Sequence, residues 1–302
     1  MLSDIFYWVF NMSVSAAIAG SIVLLLSKIK SIPRGIIWAL MLIPFLRMCF
    51  PFGMGSKYSL MSFISRFTTK TVIVYDGVIP FSAVNFTMAV NSYFPIVFKT
   101  NTLRKVFEIG SVIWLIIAAA FIITTLIIYT VTKTELKDAR LLRDNIYISD
   151  KITSPAVYGI FREKIILPKE YEADELKFIL MHENAHIKRK DNLWRVLAII
   201  TVCVHWFNPL VWLFLKSFMS NCELACDEAV LKKCSDSESK EYAATLLNFA
   251  ESKNLYVSAF GGAKLRVRIA RIISYKKLSA LSVTAFLIFA AAVAYTLLTN
   301  AT

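Results

Sequence analysis

Three stretches of this chain, 5–27, 109–132 and 278–302, carry no charged residue at all. A helix needs about 20 consecutive apolar residues to cross the hydrocarbon core of a bilayer. Each stretch is long enough. A fourth, 35–56, carries only Arg47 and is the least clear of the set. The sequence therefore predicts a mainly α, polytopic membrane protein with four transmembrane helices, and its 57% hydrophobic content fits that class better than a soluble one.

The short basic segments give the orientation. Lys28, Lys30 and Arg34 lie between the first two stretches, Lys133, Lys137, Arg140 and Arg143 follow the third, and Lys276 and Lys277 precede the fourth. All three groups belong on one side, the cytoplasm by the positive-inside rule. Both termini are then extracellular, and 53–107 is an extracellular loop. Arg104 and Lys105 depart from the rule, but a long loop weighs little in it. Asp4 and the lack of a basic start argue against a cleavable signal peptide.

What remains is 133–277, long enough for one cytoplasmic domain. The net charge of +13 could suggest nucleic acid. However, 24 of the 34 Lys and Arg and 18 of the 21 acids fall in this segment, so it is mixed rather than a basic tail, and direct nucleic-acid binding is not expected. The lipid bilayer is the expected partner. The five cysteines have no disulfide-like spacing, and four of them fall on the reducing side.

Inside that segment His182-Glu183-Asn184-Ala185-His186 matches H-E-x-x-H and takes two of the three histidines. The surrounding 174–191 reads as a helix, acidic at its start and basic at its end, as the helix dipole prefers. One turn apart, His182 and His186 can both reach one metal ion, and Glu183, offset around the axis, can act as general base. A catalytic zinc site needs a third protein ligand. The metzincin extension is excluded, because Arg189 and Asn192 stand where its glycine and histidine belong. Glu223, on a helix expected over 221–233, is the better candidate. Asp227, one turn further, could accept the ring N–H of a ligand histidine. Glu228 is a weaker choice of ligand, and Cys222 and Cys226 could ligate but read better as packing residues.

Between the two half-sites, 196–215 is uncharged and could be taken for a fifth span. A simple crossing would put Glu223 on the opposite side from the histidines. The segment is therefore expected to return as a hairpin, turning at Asn208-Pro209, either dipping into the membrane or packed in the domain. His205, just before the turn, reads as a transition-state stabiliser or a buried structural histidine. Upstream, 156–160 and 164–167 read as two strands whose edge could hold an extended peptide.

Taken together, Ser154-Pro155-Ala156-Val157-Tyr158-Gly159-Ile160-Phe161 with Lys164-Ile165-Ile166-Leu167-Pro168, His182 to His186, His205-Trp206-Phe207-Asn208-Pro209-Leu210-Val211-Trp212 and Glu223-Leu224-Ala225-Cys226-Asp227-Glu228-Ala229-Val230 resemble the BlaR/MecR-type integral-membrane zinc metallopeptidases of bacterial β-lactam resistance. The resemblance implies a cytoplasmic gluzincin-like α+β domain, with His182, His186 and Glu223 as zinc ligands and Glu183 as catalytic base. It implies a regulatory transducer that cleaves a cytoplasmic BlaI/MecI-type repressor, often with self-cleavage; the basic stretch 264–271 is the candidate region. The antibiotic sensors of this family add a penicillin-binding domain after the fourth span. That domain is not expected here, where Ser237…Lys240 and Ser274…Lys277 lie on the wrong side and lack a K-T-G partner. Two other readings stay open: a housekeeping membrane zinc protease of the CAAX-processing or stress-response type, and a non-enzymatic receptor with a structural zinc. A homodimer is likewise left open.

Overall fold

The computed structural model describes residues 1–50, 55–60, 62–63, 101–169, 175–251 and 265–299. Most of the expected outer loop lies outside these residues. Helix α1 (Leu2–Ser27) is continuous. The next apolar stretch forms two short helices, α2 (Arg34–Leu40) and α3 (Leu42–Cys49), separated at Met41. Pro44, in the first turn of α3, has no N–H to offer the carbonyl of Leu40, so one helix cannot run through. Helix α4 (Asn101–Glu135) is longer than the stretch read from the sequence. Among the described residues three helices are long and apolar enough to cross a membrane: Leu2–Ser27, Lys105–Asp138 and Ala280–Leu298.

A four-stranded sheet follows α4: β1 (Arg140–Arg143), β2 (Ile146–Ser149), β3 (Ala156–Tyr158) and β4 (Lys164–Pro168), in the order β1-β2-β4-β3. β2 and β4 are parallel; the two outer pairs are antiparallel. β3 and β4 are the two strands read from the sequence, whereas β1 and β2 were not foreseen. Between β3 and β4 the chain reverses at Gly159, whose φ of +96° suits glycine, and a Cβ there would lie 2.4 Å from the Arg162 carbonyl oxygen. β3 is a terminal strand, and Asn192 donates to the carbonyls of Val157 (2.9 Å) and Gly159 (3.0 Å).

The remaining helices are α5 (Leu176–Arg189), α6 (Asp191–Val204), α7 (Pro209–Leu231), α8 (Asp236–Glu251), α9 (265–273) and α10 (Ala280–Leu298). Lys190, left-handed at φ 56°, separates α5 from α6. The α6–α7 connection turns at Asn208-Pro209, where the Asn208 side chain caps the Leu210 N–H (3.0 Å) and Pro209 takes the first helical position, which needs no donor.

Helix α7 joins two cores. Its first half, with Val211, Phe214 and Phe218, is buried against α1, α2, α3 and α6. Its last turn, with Val230 and Leu231, packs with Phe178 of α5, Tyr242 of α8 and Ile272 of α9. α1 and α7 run parallel and close, Ser13 meeting Asn208 and Gly20 meeting Phe214. Asn208 donates to Ser13 Oγ (2.9 Å), and a Cβ on Gly20 would lie 2.4 Å from the Phe214 ring. Arg34 ties the Ser27 carbonyl (2.8 Å) to Asn221 (3.2 Å). The sheet covers α5 through Ile165, Leu167 and Ile179.

Candidate metal centre

Helix α5 turns Phe178 and Ile179 into the two neighbouring cores, and that rotation places His182, Glu183 and His186 inside, each less than 10% exposed. α7 brings Glu223 opposite. Its carboxylate stands on the Nε2 edge of both imidazoles, 3.5 Å from His182 and 3.7 Å from His186. The other ring nitrogens point away and are held. His186 Nδ1 donates to Asp191 (2.6 Å), which is fully buried and also bound by Arg189. His182 Nδ1 lies 2.8 Å from the Tyr242 hydroxyl, and that hydroxyl donates to Asp227 (2.6 Å). A phenol has one hydrogen, so Tyr242 accepts from His182. Both histidines therefore hold a proton on Nδ1 and turn Nε2 towards Glu223.

Asp227 thus reaches His182 mainly through Tyr242, its own oxygen being 3.4 Å from Nδ1. Arg268 grips Asp227 with two bonds, 2.8 and 2.7 Å, and places a third nitrogen 3.5 Å from Glu223. Arg195 donates to Glu223 at 2.8 Å. Burial by itself would raise the pKa of Asp227, but the charge of Arg268, with hydrogen bonds from His182 and Arg268, holds it at about 2. Burial likewise works against a charged His182, yet hydrogen bonds to Asp227 and Glu223 carry its pKa up to about 9. Glu223 is held well below the usual carboxylate range: burial opposes this, and the histidines and Arg268 outweigh it.

A second donor set competes with Glu223. Atoms of His182, His186 and Cys226 lie within 4.8 Å of one another, as do those of His186, Asp191 and Cys222. Cys226 approaches His186 on the Nδ1 side, at 3.1 Å, where Asp191 already accepts, and its sulfur also takes Arg189 at 3.1 Å. An ion there would have to displace the Asp191 bond, whereas one between the Nε2 edges and Glu223 leaves both Nδ1 bonds in place. Burial also pushes the Cys222 thiol up to about 12 and the Cys226 thiol higher still, so neither is a preformed thiolate.

Two residues weighed from sequence are elsewhere. Glu228 accepts from the Arg34 backbone N–H and pairs with Lys232 at 2.8 Å. His205, weighed as a transition-state stabiliser or a buried structural histidine, is buried away from the site. It caps the far end of α6, a 14-residue helix that carries it about 20 Å from Asp191. Conversely, Asp191, Arg195, Tyr242 and Arg268 are at the centre and were not singled out. Asp191 alone left a local trace, as the acid just past the motif helix.

Glu183 lies on the β3 side of α5. The Tyr158 hydroxyl on β3 has its pKa raised by burial first and then by the negative charges of Glu135 and Glu183. The family model of the BlaR1 peptidase M56 matches residues 7–272, a span that includes every residue of this centre. The chain belongs to the BlaR1 peptidase M56 family. The description of that family is of a peptidase. Among curated relatives, regulatory protein BlaR1 of Bacillus licheniformis is 36% identical over 143 residues, 44% of this chain and 24% of the relative. The methicillin resistance mecR1 protein of Staphylococcus aureus (strain Mu50 / ATCC 700699) is 27% identical over 114 residues, 36% of this chain and 20% of the relative. Regulatory protein BlaR1 of Staphylococcus aureus is 27% identical over 138 residues, 43% and 23% respectively. The chain therefore matches a minor part of the length of these relatives.

Proposed function

We propose that this M56 chain is a membrane-embedded zinc endopeptidase acting as a regulatory signal transducer, and that it cleaves a cytoplasmic protein such as a BlaI/MecI-type repressor. The observation that carries the reading is the convergence of two Nε2 atoms on Glu223 while both Nδ1 atoms are tied back. Two imidazoles and one carboxylate are a donor set that zinc favours, and three protein ligands leave a position open for substrate. His182, His186 and Glu223 would hold the ion. Bound there, zinc would supply the Lewis acidity that polarises a peptide carbonyl and makes water a nucleophile near neutral pH.

The chain's own groups then divide the work. Glu183, buried on the β3 side of α5, takes a proton from the attacking water and delivers it to the leaving amine. β3, the terminal strand, offers its backbone to an extended peptide, and Asn192 fixes that strand against the start of α6. The regulatory role and the repressor substrate rest on the BlaR1 and mecR1 relatives. The cytoplasmic placement of 133–277, the four spans and the gluzincin-like domain rest on the charge pattern and the motif spacing. α6 and α7 lie beside α1 as a hairpin that enters the bilayer and returns.

Glu183→Gln keeps the ligands and removes the base. In a proteome comparison, a protein cut in cells carrying the wild type should accumulate intact in cells carrying Glu183→Gln. Identical cleavage patterns would remove Glu183 from the mechanism.

A further inference from the structure

We propose that Arg268 is a positioning residue for the metal centre, delivered by the strap that runs from α9 into α10, so that the centre is set only while that strap is docked. The proposal rests on the metallopeptidase reading above and extends it to a residue outside the motif helices. Arg268 uses three nitrogens on two carboxylates. Nε and one terminal nitrogen bind the two oxygens of Asp227 side by side at 2.8 and 2.7 Å, and the other terminal nitrogen stands 3.5 Å from Glu223 Oε2. The planar fork fixes the plane of the Asp227 carboxylate. That carboxylate receives the Tyr242 hydroxyl, which in turn receives His182 Nδ1–H. Arg268 thus sets one ligand histidine through a chain of two residues and touches the third ligand directly.

Arg268 sits at this point because α9 is anchored. Ile272, one turn further, is buried with Phe178, Val230 and Tyr242. Lys277 donates to the Cys234 carbonyl at 3.0 Å, and Ala280 begins α10. A shift of the last apolar helix along its axis would therefore be felt first at Ile272 and Arg268. Among the described residues, apart from the ligand His182 itself, Arg268 is the side chain that reaches both Asp227 and Glu223.

The test uses the full chain in detergent or nanodiscs, titrated with Co²⁺, whose visible spectrum reports ligand geometry. Arg268→Ala should weaken Co²⁺ binding about 10- to 100-fold and alter the spectrum, with kcat falling and KM changing within about twofold. Arg268→Lys keeps the charge without the fork and should fall between. Ile272→Ala, which touches neither carboxylate, should weaken Co²⁺ binding in the same direction. A purely structural arginine would lower the melting temperature yet leave the Co²⁺ spectrum and affinity of the folded fraction unchanged in both Arg268 variants, and that result would overturn the proposal. Wild-type Co²⁺ binding in Ile272→Ala would overturn the dependence on the strap. Should Arg268→Ala not fold, Arg268→Lys alone decides by the same spectrum. A wild-type chain that takes up no Co²⁺ or Zn²⁺ would instead sink the metallopeptidase reading itself.

Discussion

Asp191 does for His186 what Tyr242 and Asp227 together do for His182: each fixes the ring proton on Nδ1 and leaves Nε2 for a ligand. The two arrangements differ in how they read from sequence. His182, His186, Glu223 and Asp227 were legible because pairs at i and i+4 share a helix face, which is a local fact. Tyr242 and Arg268 were not, because they arrive from α8 and α9 by tertiary packing, with no spacing to mark them. Arg268 was noticed only as part of a basic stretch. Asp191→Asn keeps an acceptor for His186 but removes the charge that holds Arg189 and the ring. It should lower zinc affinity about tenfold or more, measured by competition with a chromophoric chelator. Unchanged affinity would show that the 2.6 Å bond does not tune the ligand.

Helices α5 and α7 were read correctly in place, but their limits were set by features of different visibility. The Asn208-Pro209 turn was legible because its chemistry is local. The break at Met41 was not inferred, although Pro44 causes it, because hydropathy averages over a single proline. β1 and β2 escaped notice because four residues each, Arg140–Arg143 and Ile146–Ser149, are too short to show an alternation. Helix α8 carries Tyr242 and starts with a reciprocal cap: Ser235 N–H donates to Glu238 (2.8 Å), and Glu238 N–H donates to Ser235 Oγ (3.3 Å). Lys177 of α5 binds the same Glu238. Its hydrogen bonds to Lys177 and Ser235 hold the Glu238 pKa at about 2, below the ordinary value of 4.5. A depressed carboxylate stabilises fully above its unfolded pKa and loses that contribution as pH falls through the folded one. Amide exchange at 235–239, corrected for its intrinsic pH dependence, should be flat above pH 4.5 and rise as pH falls towards 2. A rise that begins near neutral pH would contradict the cap.

At the scale of the whole molecule, α7 runs through both the apolar bundle and the core behind the motif, so the centre is built where the two meet. If the α6–α7 hairpin lies in the bilayer, Leu213, which is 51% exposed, faces lipid. Leu213→Cys should then resist membrane-impermeant maleimide from either side and react only in detergent; rapid labelling in intact membranes would place the hairpin in water. The family was legible from four motifs together. The choice of Glu223 over Cys226 was only weighed from sequence, and it turns on which edge of His186 each residue faces. X-ray absorption at the zinc edge tests that choice and the metal at once. The account predicts one zinc per chain with nitrogen and oxygen neighbours at about 2.0–2.2 Å, including two imidazoles, and the same spectrum in Cys226→Ala. A sulfur neighbour at about 2.3 Å, or a purified active chain without zinc, would contradict it.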